Sequence, residues 1–405
     1  MVEEIFNRKI VGQIVPFLNT KTIIVIHGAR QVGKSSVMQF LIKNHIKDNY
    51  FYMDLENMEY LDLCNRGPEA VSVFLAGRGL NLDKRAFLLI DEIQYLKNPS
   101  NFLKLFHDHY QNIKLIVSGS SSFEIKKRFK ESLVGRTVDF ELFPLDFEEF
   151  LIFKKKNYNL KPDNALEINL ELIKLYEEFD FYGGYPGIVL ENNIDIKKSL
   201  LSQIIQTYVK KDIRDLGNIR NVDSFNKMLQ LLASQSGNLL NVEEISNTLS
   251  LNKETVKEWL FLLEATYIIK LLKPFHKNIR SELIKNPKIF FIDTGLMHLL
   301  YLKIFPKTLI GNSFETLFFS ELLKNGLETN FWRTINKQEI DFIIQTSKVF
   351  AVETKINFQQ SIGSSLKFFK EKYNSKNFVV SIYGNKDEKD KKYPWEMVKE
   401  LQKHN

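Results

Sequence analysis

The chain has 405 residues, of which 44% are hydrophobic and 26% are charged, a globular composition that excludes wholesale disorder and leaves room for two to three domains. The net charge of +7 permits a nucleic-acid partner but does not require one. The single cysteine, Cys64, excludes a disulfide framework and a multi-cysteine zinc site and predicts a cytoplasmic protein, and the lack of any long apolar run predicts no membrane segment.

The first 150 residues alternate short apolar runs with helical patterns, for example over residues 34–47. We predict buried strands over residues 22–27, 50–55, 86–90, 113–117 and 137–142. Apolar strands that are separated by helices form a parallel sheet with both faces covered. Residues 1–150 are therefore predicted to be a doubly wound α/β domain.

Helical patterns dominate the next two regions. Residues 151–220 include a turn cluster at 183–187 and predict a helical lid. Within residues 221–300 we predict two adjacent helices and then a strand, over 242–249, 252–265 and 267–272. This is the order of a winged helix. The second helix is near neutral, so the basic stretch after it is the candidate for nucleic-acid contact, and a domain–domain contact is the equal alternative.

Residues 301–405 predict a small α/β domain. Its predicted helices lie at 313–325 and 364–373, and its predicted strands at 339–345, 349–354 and 378–382. The first two of these strands form a hairpin.

A glycine-rich segment after the first predicted strand matches the pattern G-x-x-x-x-G-K-[ST]. It lies between a strand and a helix, the context in which backbone N–H groups and a helix N-terminus bind phosphate oxygens. We predict that ATP contacts Gly28, Ala29, Arg30, Gln31, Val32, Gly33, Lys34, Ser35 and Ser36. Lys34 is predicted to reach the β- and γ-phosphates, and Ser35 to hold Mg²⁺.

Two acids follow the third predicted strand. Asp91 and Glu92 come at its carboxyl end, which faces the ligand crevice in a sheet of this kind. We predict that Asp91 binds Mg²⁺ through water and that Glu92 is the base that orients or deprotonates the attacking water. The alternative is that both acids cap the next helix.

Serines and arginines follow the fourth predicted strand. Ser120 is the first candidate to sense the γ-phosphate and Ser118 the second, although each would also serve as a helix N-cap. Arg128 and Arg136 lie before the fifth strand, and either could act in trans as an arginine finger within a homo-oligomer. Ordinary surface arginines are the alternative.

The order of these motifs resembles a known group of proteins. The segments that carry the resemblance are GARQVGKSS, FLLIDEIQ, IVSGSSS and VGRTVDFELFPLDFEEFL, and then YGGYPGIVL, KIFFIDTGL and GNSFETLFFSEL. They are similar to AAA-type P-loop ATPases of bacteria and archaea with a DUF4143 C-terminal half. This resemblance covers nearly the whole chain and implies ATP binding and hydrolysis, but no defined cellular role. Related signalling ATPases place a Gly-x-Pro near the adenine, which implies that role for Pro186, with turn chemistry as the alternative.

A second constellation lies in the predicted C-terminal domain and resembles the PD-(D/E)xK nuclease core. Asp341 lies in one strand, and Glu353 and Lys355 share a face of the next. In that core the acids hold Mg²⁺, and the lysine positions water or stabilises the phosphate. Glu315 matches the helical acid that such folds add, although Asp341 lacks the preceding proline. We predict that these side chains converge on one metal-binding cleft.

The sequence thus predicts a Mg²⁺-dependent ATPase coupled to a DNA-binding or nuclease-like C-terminal domain. The alternative is a switch in which ATP sets conformation or assembly and the nuclease-like fold only binds a partner. Cleavage would be lost on substitution of Asp341 or Lys355. Partner binding by a switch would survive those changes and fail on substitution of Lys34.

Overall fold

The computed structural model describes residues 5–119, 133–160, 164–207, 217, 219, 221–275, 286–334, 338–361, 363–386 and 388–404. The chain forms two compact units, Met1–Phe143 and Pro144–Asn405. No helix in these described ranges is both long enough and apolar enough to cross a membrane.

The first unit is built around a five-stranded parallel sheet. Its strands are β1 (Ile23–Gly28), β2 (Tyr50–Asp54), β3 (Ala86–Asp91), β4 (Ile113–Gly119) and β5 (Thr137–Leu142). Its helices are α1 (Lys9–Ile14), α2 (Lys34–Leu41), α3 (Met58–Asn65), α4 (Pro68–Gly77) and α5 (Pro99–His109). The strand order is β2-β3-β4-β1-β5, and every pair is parallel. The five predicted strands are confirmed, with ends that differ by at most two residues.

The sheet is buried as a parallel sheet should be. Every residue of β1 and of β4 is buried, because both faces of these central strands are covered. Each large aliphatic side chain that is buried in this way stabilises the fold by about 1.5–3 kcal/mol. The predicted helix over residues 34–47 ends earlier as an α-helix, at Leu41, and continues as a π-helical turn over Ile42–Ile46. The carboxyl ends of β1, β3 and β4 meet at one edge, where a ligand binds in such sheets.

The second unit begins with a helical region. Its helices are α6 (Phe147–Phe153), α7 (Leu166–Tyr182), α8 (Pro186–Leu190), α9 (Ile194–Thr207), α10 (Val222–Ser234), α11 (Val242–Leu249), α12 (Lys253–Ala265) and α13 (Thr294–Tyr301). Between α12 and α13 lie the antiparallel strands β6 (Ile269–Leu272) and β7 (Lys288–Phe291). Leu239 forms an isolated antiparallel bridge to Lys288. The two adjacent helices and the strand that we predicted here are confirmed as α11, α12 and β6.

A buried aspartate joins two distant segments of this unit. Asp293 caps α13 by accepting a hydrogen bond from the Leu296 amide, and its other oxygen accepts one from the Gly184 amide at 2.7 Å. Gly183 has a φ of +79°, and a Cβ at this position would lie 2.2 Å from Asp293 Oδ1. Glycine is therefore the residue that fits here. Burial raises the pKa of the Asp293 carboxyl.

The C-terminal part of the second unit is a mixed sheet with the order β12-β11-β10-β9-β8. Its strands are β8 (Thr329–Arg333), β9 (Glu339–Gln345), β10 (Val349–Thr354), β11 (Lys376–Val380) and β12 (Lys391–Lys392). Its helices are α14 (Gly311–Lys324), α15 (Ser365–Tyr373) and α16 (Pro394–Gln402). The predicted hairpin is confirmed as β9 and β10, which pair antiparallel. The sequence did not predict β8, and the predicted strand over 378–382 begins and ends two residues earlier, as β11.

Candidate functional site

The loop between β1 and α2 has the backbone of a phosphate-binding loop. Gln31 and Gly33 have φ values of 60° and 95°, both in the left-handed region. Gly33 is the N-cap of α2, and an L side chain rarely adopts its conformation. Successive N–H groups in such a loop form an anion-binding concavity, and the N-terminus of α2 adds its partial positive charge.

Lys34 lies along this loop. Its side chain is buried, and Nζ donates hydrogen bonds to the carbonyl oxygens of Gly28 at 3.2 Å and Ala29 at 2.9 Å. Ser35 and Ser36 follow in the first turn of α2 and are exposed. The loop therefore has a fixed cation and exposed hydroxyl-bearing residues at one helix N-terminus, which is an arrangement that binds a polyphosphate.

Arg8 supports the loop through a buried hydrogen bond, and the sequence analysis did not identify this residue. This arginine is 5% exposed, and its two terminal nitrogens donate to the carbonyl oxygens of Val32 at 2.8 Å and Phe143 at 2.9 Å. One guanidinium thus ties the loop to the chain beyond β5. No sequence pattern marks Arg8, because it lies 24 residues before Val32.

Asp91 is fixed at the end of β3 by groups from both neighbouring strands. Tyr52 on β2 donates to Oδ2 at 2.7 Å, and Ser118 on β4 donates to Oδ1. The Glu92 amide also donates to Oδ1, at 3.1 Å. Asp91 is 2% exposed and lies at the edge of the sheet where β1 ends and the loop begins. Neutral donors orient Asp91 without cancelling its charge, as a cation ligand requires.

Glu92 has an unusual backbone. Its φ and ψ are 56° and 47°, a left-handed conformation that costs a non-glycine residue roughly 1–3 kcal/mol. Gln94 donates a hydrogen bond to its carboxylate. The Glu92 side chain makes no capping hydrogen bond to the short 3₁₀ turn Ile93–Tyr95, so the capping alternative for this residue is not what the structure shows. Strain of this kind is concentrated at functional sites.

The predicted sensor and finger residues are only partly described. Ser120 and Arg128 fall outside the described residues. Ser118 is fully buried and holds Asp91. Arg136 forms a two-pronged ion pair with Asp108, at 2.9 and 3.1 Å, which lowers the pKa of that carboxyl to about 2.

Arg136 lies at the edge of the sheet opposite to the loop. Its carbonyl accepts a hydrogen bond from the Ile23 amide at the start of β1, whereas the loop follows the end of β1. A six-residue strand separates them by roughly 20 Å. Arg136 therefore cannot serve the loop of its own chain, and its role as a finger stays a prediction that needs a second copy.

Pro186 lies in the second unit. It is half-buried and is the first residue of α8, where its missing N–H and fixed φ are favourable. The Gly184 carbonyl before it accepts a hydrogen bond from the Leu145 amide at 2.7 Å. These contacts agree with turn chemistry, and the role of Pro186 at an adenine stays a prediction.

In the C-terminal sheet, Asp341 on β9 lies near Glu353 on β10. Asp341 Oδ2 accepts hydrogen bonds from the amide and the hydroxyl of Thr354, both at 2.8 Å. Glu353 Oε1 is 3.5 Å from Lys355 Nζ, and its Oε2 is buried without a hydrogen-bond partner among the described residues. Burial and the charge of Asp341 raise the pKa of Glu353 to about 7.

A buried lysine that the sequence analysis missed pairs with the remaining acids. Lys288 on β7 has a side chain that is 4% exposed, and its Nζ lies 3.1 Å from Glu315 Oε1 and 2.6 Å from Glu339 Oε1. Burial opposes its charge, but Glu315, Asp341 and Glu339 outweigh burial and raise the pKa of Lys288. Burial and the charge of Asp341 raise the pKa of Glu315 to about 8.

The predicted metal-binding cleft stays a prediction. The charge of Asp341 contributes to the raised pKa of both Glu315 and Glu353. However, within the described ranges no group of three or more His, Cys, Asp or Glu side chains could hold a metal ion. Lys288 supplies part of the positive charge that the prediction assigned to Mg²⁺, since it pairs with Glu315 and Glu339.

Family models match three separate segments of the chain. Residues 20–151 match a model described as an AAA domain, and residues 310–399 match a domain of unknown function, DUF4143. Residues 173–308 match another domain of unknown function, DUF8612.

Two relatives are similar over most of the chain. An uncharacterised protein of Methanocaldococcus jannaschii is 29% identical over 84% of this chain and 75% of its own length. An uncharacterised protein of Haemophilus influenzae is 27% identical over 82% of this chain and 81% of its own length.

Solved structures give weaker matches. A Walker-type ATPase of Pyrococcus abyssi has a TM-score of 0.46 and 15% identity, over 74% of this chain and 97% of that chain. A signal transduction ATPase with numerous domains from Pyrococcus horikoshii has a TM-score of 0.30 and 14% identity, over 80% of this chain and 45% of that chain. Both scores are low, so neither structure assigns a role to a residue of this chain.

The family match and the parallel sheet identify an AAA-type P-loop ATPase domain in the first unit, and residues 310–399 are a DUF4143 region. The resemblance that the sequence motifs indicated is confirmed at this level.

Proposed function

We propose that the protein binds ATP at the loop of residues 28–36 and hydrolyses it with Mg²⁺. The observation that supports this most is that the structure has both a lysine and a carboxylate suited to bind Mg²⁺ and ATP. Lys34 lies along a loop with left-handed backbone conformations. Asp91 lies at the end of a strand of the same sheet and is held by neutral donors. Ser35 would hold Mg²⁺ directly, and Asp91 would hold it through water. One carboxylate suffices, because Mg²⁺ in such sites is completed by water and substrate phosphates. The ion supplies charge neutralisation on the β- and γ-phosphates.

In this proposal each remaining residue has a separate task. Lys34 binds the β- and γ-phosphates, and Glu92 orients the attacking water and accepts its proton. Either Arg128 or Arg136 of a second copy stabilises the charge of the transferred phosphoryl group, so the activity per molecule falls on dilution. A monomer with undiminished specific activity on dilution would contradict the role in trans.

Lys34→Ala tests the proposed site. We expect nucleotide binding to weaken at least about 100-fold, because the variant loses a buried charge-assisted contact to phosphate. The measurement is titration with a fluorescent ATP analogue, and Lys43→Ala, at an exposed lysine just after α2, is the matched control. Equal affinity of the two variants would contradict the assignment.

For the second unit we propose that α10, α11, α12, β6 and β7 form a winged helix that binds DNA. The supporting observation is their order, with Leu239 bridging Lys288 as a short third strand. The lysines of α12 are paired, Lys253 with Glu243 and Lys257 with Glu254, so this helix has little net charge to offer phosphates. The contact would instead involve the basic stretch after β6, which begins with the exposed Lys273.

A second candidate function is an ATP-operated switch in which the C-terminal fold binds a partner and does not cut it. The Lys288 ion pairs favour it, because the chain itself already offsets part of the charge of Glu315 and Glu339. Incubation with labelled DNA, Mg²⁺ or Mn²⁺ and ATP separates the two. Cleavage that is lost in Asp341→Asn and Lys355→Ala supports a nuclease, whereas uncut DNA that is retained by both variants and released by Lys34→Ala supports the switch.

A further inference from the structure

A cavity of about 370 Å³ lies beside α7 in the second unit, and neither the ATPase nor the DNA-binding proposal assigns it a role. Its volume is within the range of small-molecule sites. One side of the cavity is a single face of α7, since residues three or four positions apart on a helix are neighbours. Its lining includes Glu177, Glu178, Phe181 and Tyr182 of α7, and Ile194 and Lys197 at the start of α9.

Lys197 brings a buried positive charge to this cavity. The residue is 3% exposed, and its Nζ donates a hydrogen bond to the Ile188 carbonyl oxygen at 2.6 Å and lies 4.9 Å from the centroid of the Tyr182 ring. An ammonium group has three N–H donors, and within the described part of the chain Nζ makes no second hydrogen bond and no ion pair. Burial lowers the pKa of Lys197 to about 8, so the group is still charged at pH 7. A buried charge without a counter-charge is costly, so an anion in the cavity would relieve that cost.

The two glutamates of the cavity wall are held by other groups. Glu178 Oε1 lies 2.7 Å from Lys154 Nζ, and Glu177 accepts a hydrogen bond from the Tyr383 hydroxyl. Their negative charges limit which anion can bind, because they repel a doubly charged phosphate more strongly than a singly charged carboxylate. The wall therefore favours a monoanion at Lys197.

Apolar surface adjoins the charged group. Phe181 and Tyr182 are half-buried, and Ile194 is 54% exposed. An aromatic or branched aliphatic group attached to the carboxylate would cover this surface, and its burial is favourable at roughly 25 cal/mol per Å². One cation beside apolar side chains is an arrangement that recognises an apolar carboxylic acid.

We propose that this cavity binds a small monocarboxylate with an apolar body: the carboxylate pairs with Lys197, and the body covers Phe181, Tyr182 and Ile194. The inference does not depend on the proposed ATPase function. A free aromatic acid and the C-terminal residue of a peptide present the same chemistry, and two probes separate these sources. Benzoate represents the free acid, and N-acetylphenylalanine represents the peptide end.

The test compares a charged probe with a neutral probe of the same shape. Benzoate and benzamide are titrated into the full chain at pH 7 and constant ionic strength, and binding is followed by ligand-observed NMR. We expect benzoate to bind about tenfold or more tightly than benzamide, as for one hydrogen bond to a charged group. Lys197→Met should abolish this preference. Lys198→Met, at the exposed neighbouring lysine, is the matched control and should retain it.

A second variant tests the apolar wall independently of Lys197. Phe181→Ala should lower the affinity for benzoate and benzamide by a similar factor of about three to ten, because both probes lose the same ring contact. Melting temperatures verify that each variant is folded. A preference for either N-acetylphenylalanine or benzoate supports the proposal and identifies the source of the carboxylate.

Three results would overturn the proposal. The first is equal affinity of the wild type for benzoate and benzamide. The second is a benzoate preference that survives in Lys197→Met, or affinities that do not change in Phe181→Ala. The third is displacement of benzoate by an equal concentration of inorganic phosphate, which would mean that the cavity selects charge alone.

Discussion

Beside the P-loop, Asp91 is held by the hydroxyls of Tyr52 and Ser118, whereas in the second unit Glu315 and Glu339 are held by the ammonium of Lys288. Both arrangements satisfy buried carboxylates, but they differ in net charge. Hydroxyl donors leave a full negative charge, and a cation is still attracted to it. A lysine offsets part of that charge, so a further divalent cation gains less.

The comparison shows that acidic residues at the ends of strands do not by themselves indicate a metal site. Whether such acids attract a metal ion depends on which groups donate hydrogen bonds to them. A donor from a distant element is not part of the sequence motif. Lys288 precedes Glu315 by 27 residues, and it lies on a strand outside the nuclease-like pattern.

The largest expected effect is at the proposed ATPase site. Glu92→Gln should lower the rate of ATP hydrolysis by roughly 10²–10⁴-fold while nucleotide affinity is retained, because the amide keeps the size but cannot accept a proton. Steady-state hydrolysis and analogue binding measure the two effects. Glu59→Gln, at an exposed glutamate in the first turn of α3, is the control. A parallel loss of binding would make Glu92 a structural residue.

At the C-terminal cluster, Lys288→Met should lower the free energy of unfolding of the second unit by about 3–5 kcal/mol, because it leaves buried carboxylates without a counter-charge. All three tryptophans, Trp259, Trp332 and Trp395, belong to this unit, so urea unfolding followed by tryptophan fluorescence reports on it.

Lys355→Met is the matched control for Lys288→Met. It should cost about 1 kcal/mol or less, since Lys355 is 28% exposed and lies 3.5 Å from Glu353. Adding Glu315→Gln to Lys288→Met should recover part of the loss. Equal effects of the two lysine variants would show that Lys288 does not neutralise the cluster.

A third lysine, Lys197, shows how burial changes the pKa of a lysine whose hydrogen bond goes to a carbonyl oxygen. Lys197 in α9 donates to the Ile188 carbonyl oxygen at 2.6 Å, and burial lowers its pKa to about 8, with a smaller contribution from the charge of Lys154. Between about pH 8 and 10 the unfolded chain binds this proton and the folded chain does not, so stability should rise with pH, by at most about 1.4 kcal/mol per unit. Urea unfolding of Lys197→Met should show a smaller rise than the wild type. An identical pH dependence would contradict the lowered pKa.

The smallest expected effect concerns Arg8. Arg8→Met removes one hydrogen bond to the loop and one to the chain after β5, and it should weaken nucleotide binding by about two- to tenfold, since the loop loses support but keeps its own contacts. The measurement is analogue titration, with melting temperature recorded to verify folding. A loss as large as that of Lys34→Ala would instead place Arg8 in contact with the nucleotide.

The sequence predicted the features that are formed by residues close together in the chain. The five strands of the first unit, the helix after the loop and the β9–β10 hairpin follow from apolar runs and turn residues that lie within a few positions of each other. The P-loop was found because its residues are contiguous. Ser118 was the second candidate for a γ-phosphate sensor, after Ser120, and the structure shows it hydrogen-bonded to Asp91.

The residues that sequence reasoning missed act across long separations. Tyr52 and Asp91 are 39 residues apart, and Arg8 and Val32 are 24 apart. Their side chains belong to ordinary strand or helix-flanking patterns, so only the packing of elements brings them to the site. The C-terminal acids were found for the opposite reason, since a short hairpin joins Asp341 and Glu353. The cation that pairs with Glu315 was not found, because β7 is far from that hairpin in sequence.

The contact between Asp293 and Gly184 also bears on how the chain is synthesised. The two residues are 109 positions apart. The turn before α8 therefore lacks the Asp293 contact while the ribosome adds those residues, which takes roughly 5–20 s at ordinary rates of synthesis. During that interval the Gly184 amide lacks the carboxylate that it contacts in the finished fold. We therefore expect nascent chains that stop before residue 293 to be more sensitive to protease near residues 183–187 than chains released after α13 has emerged.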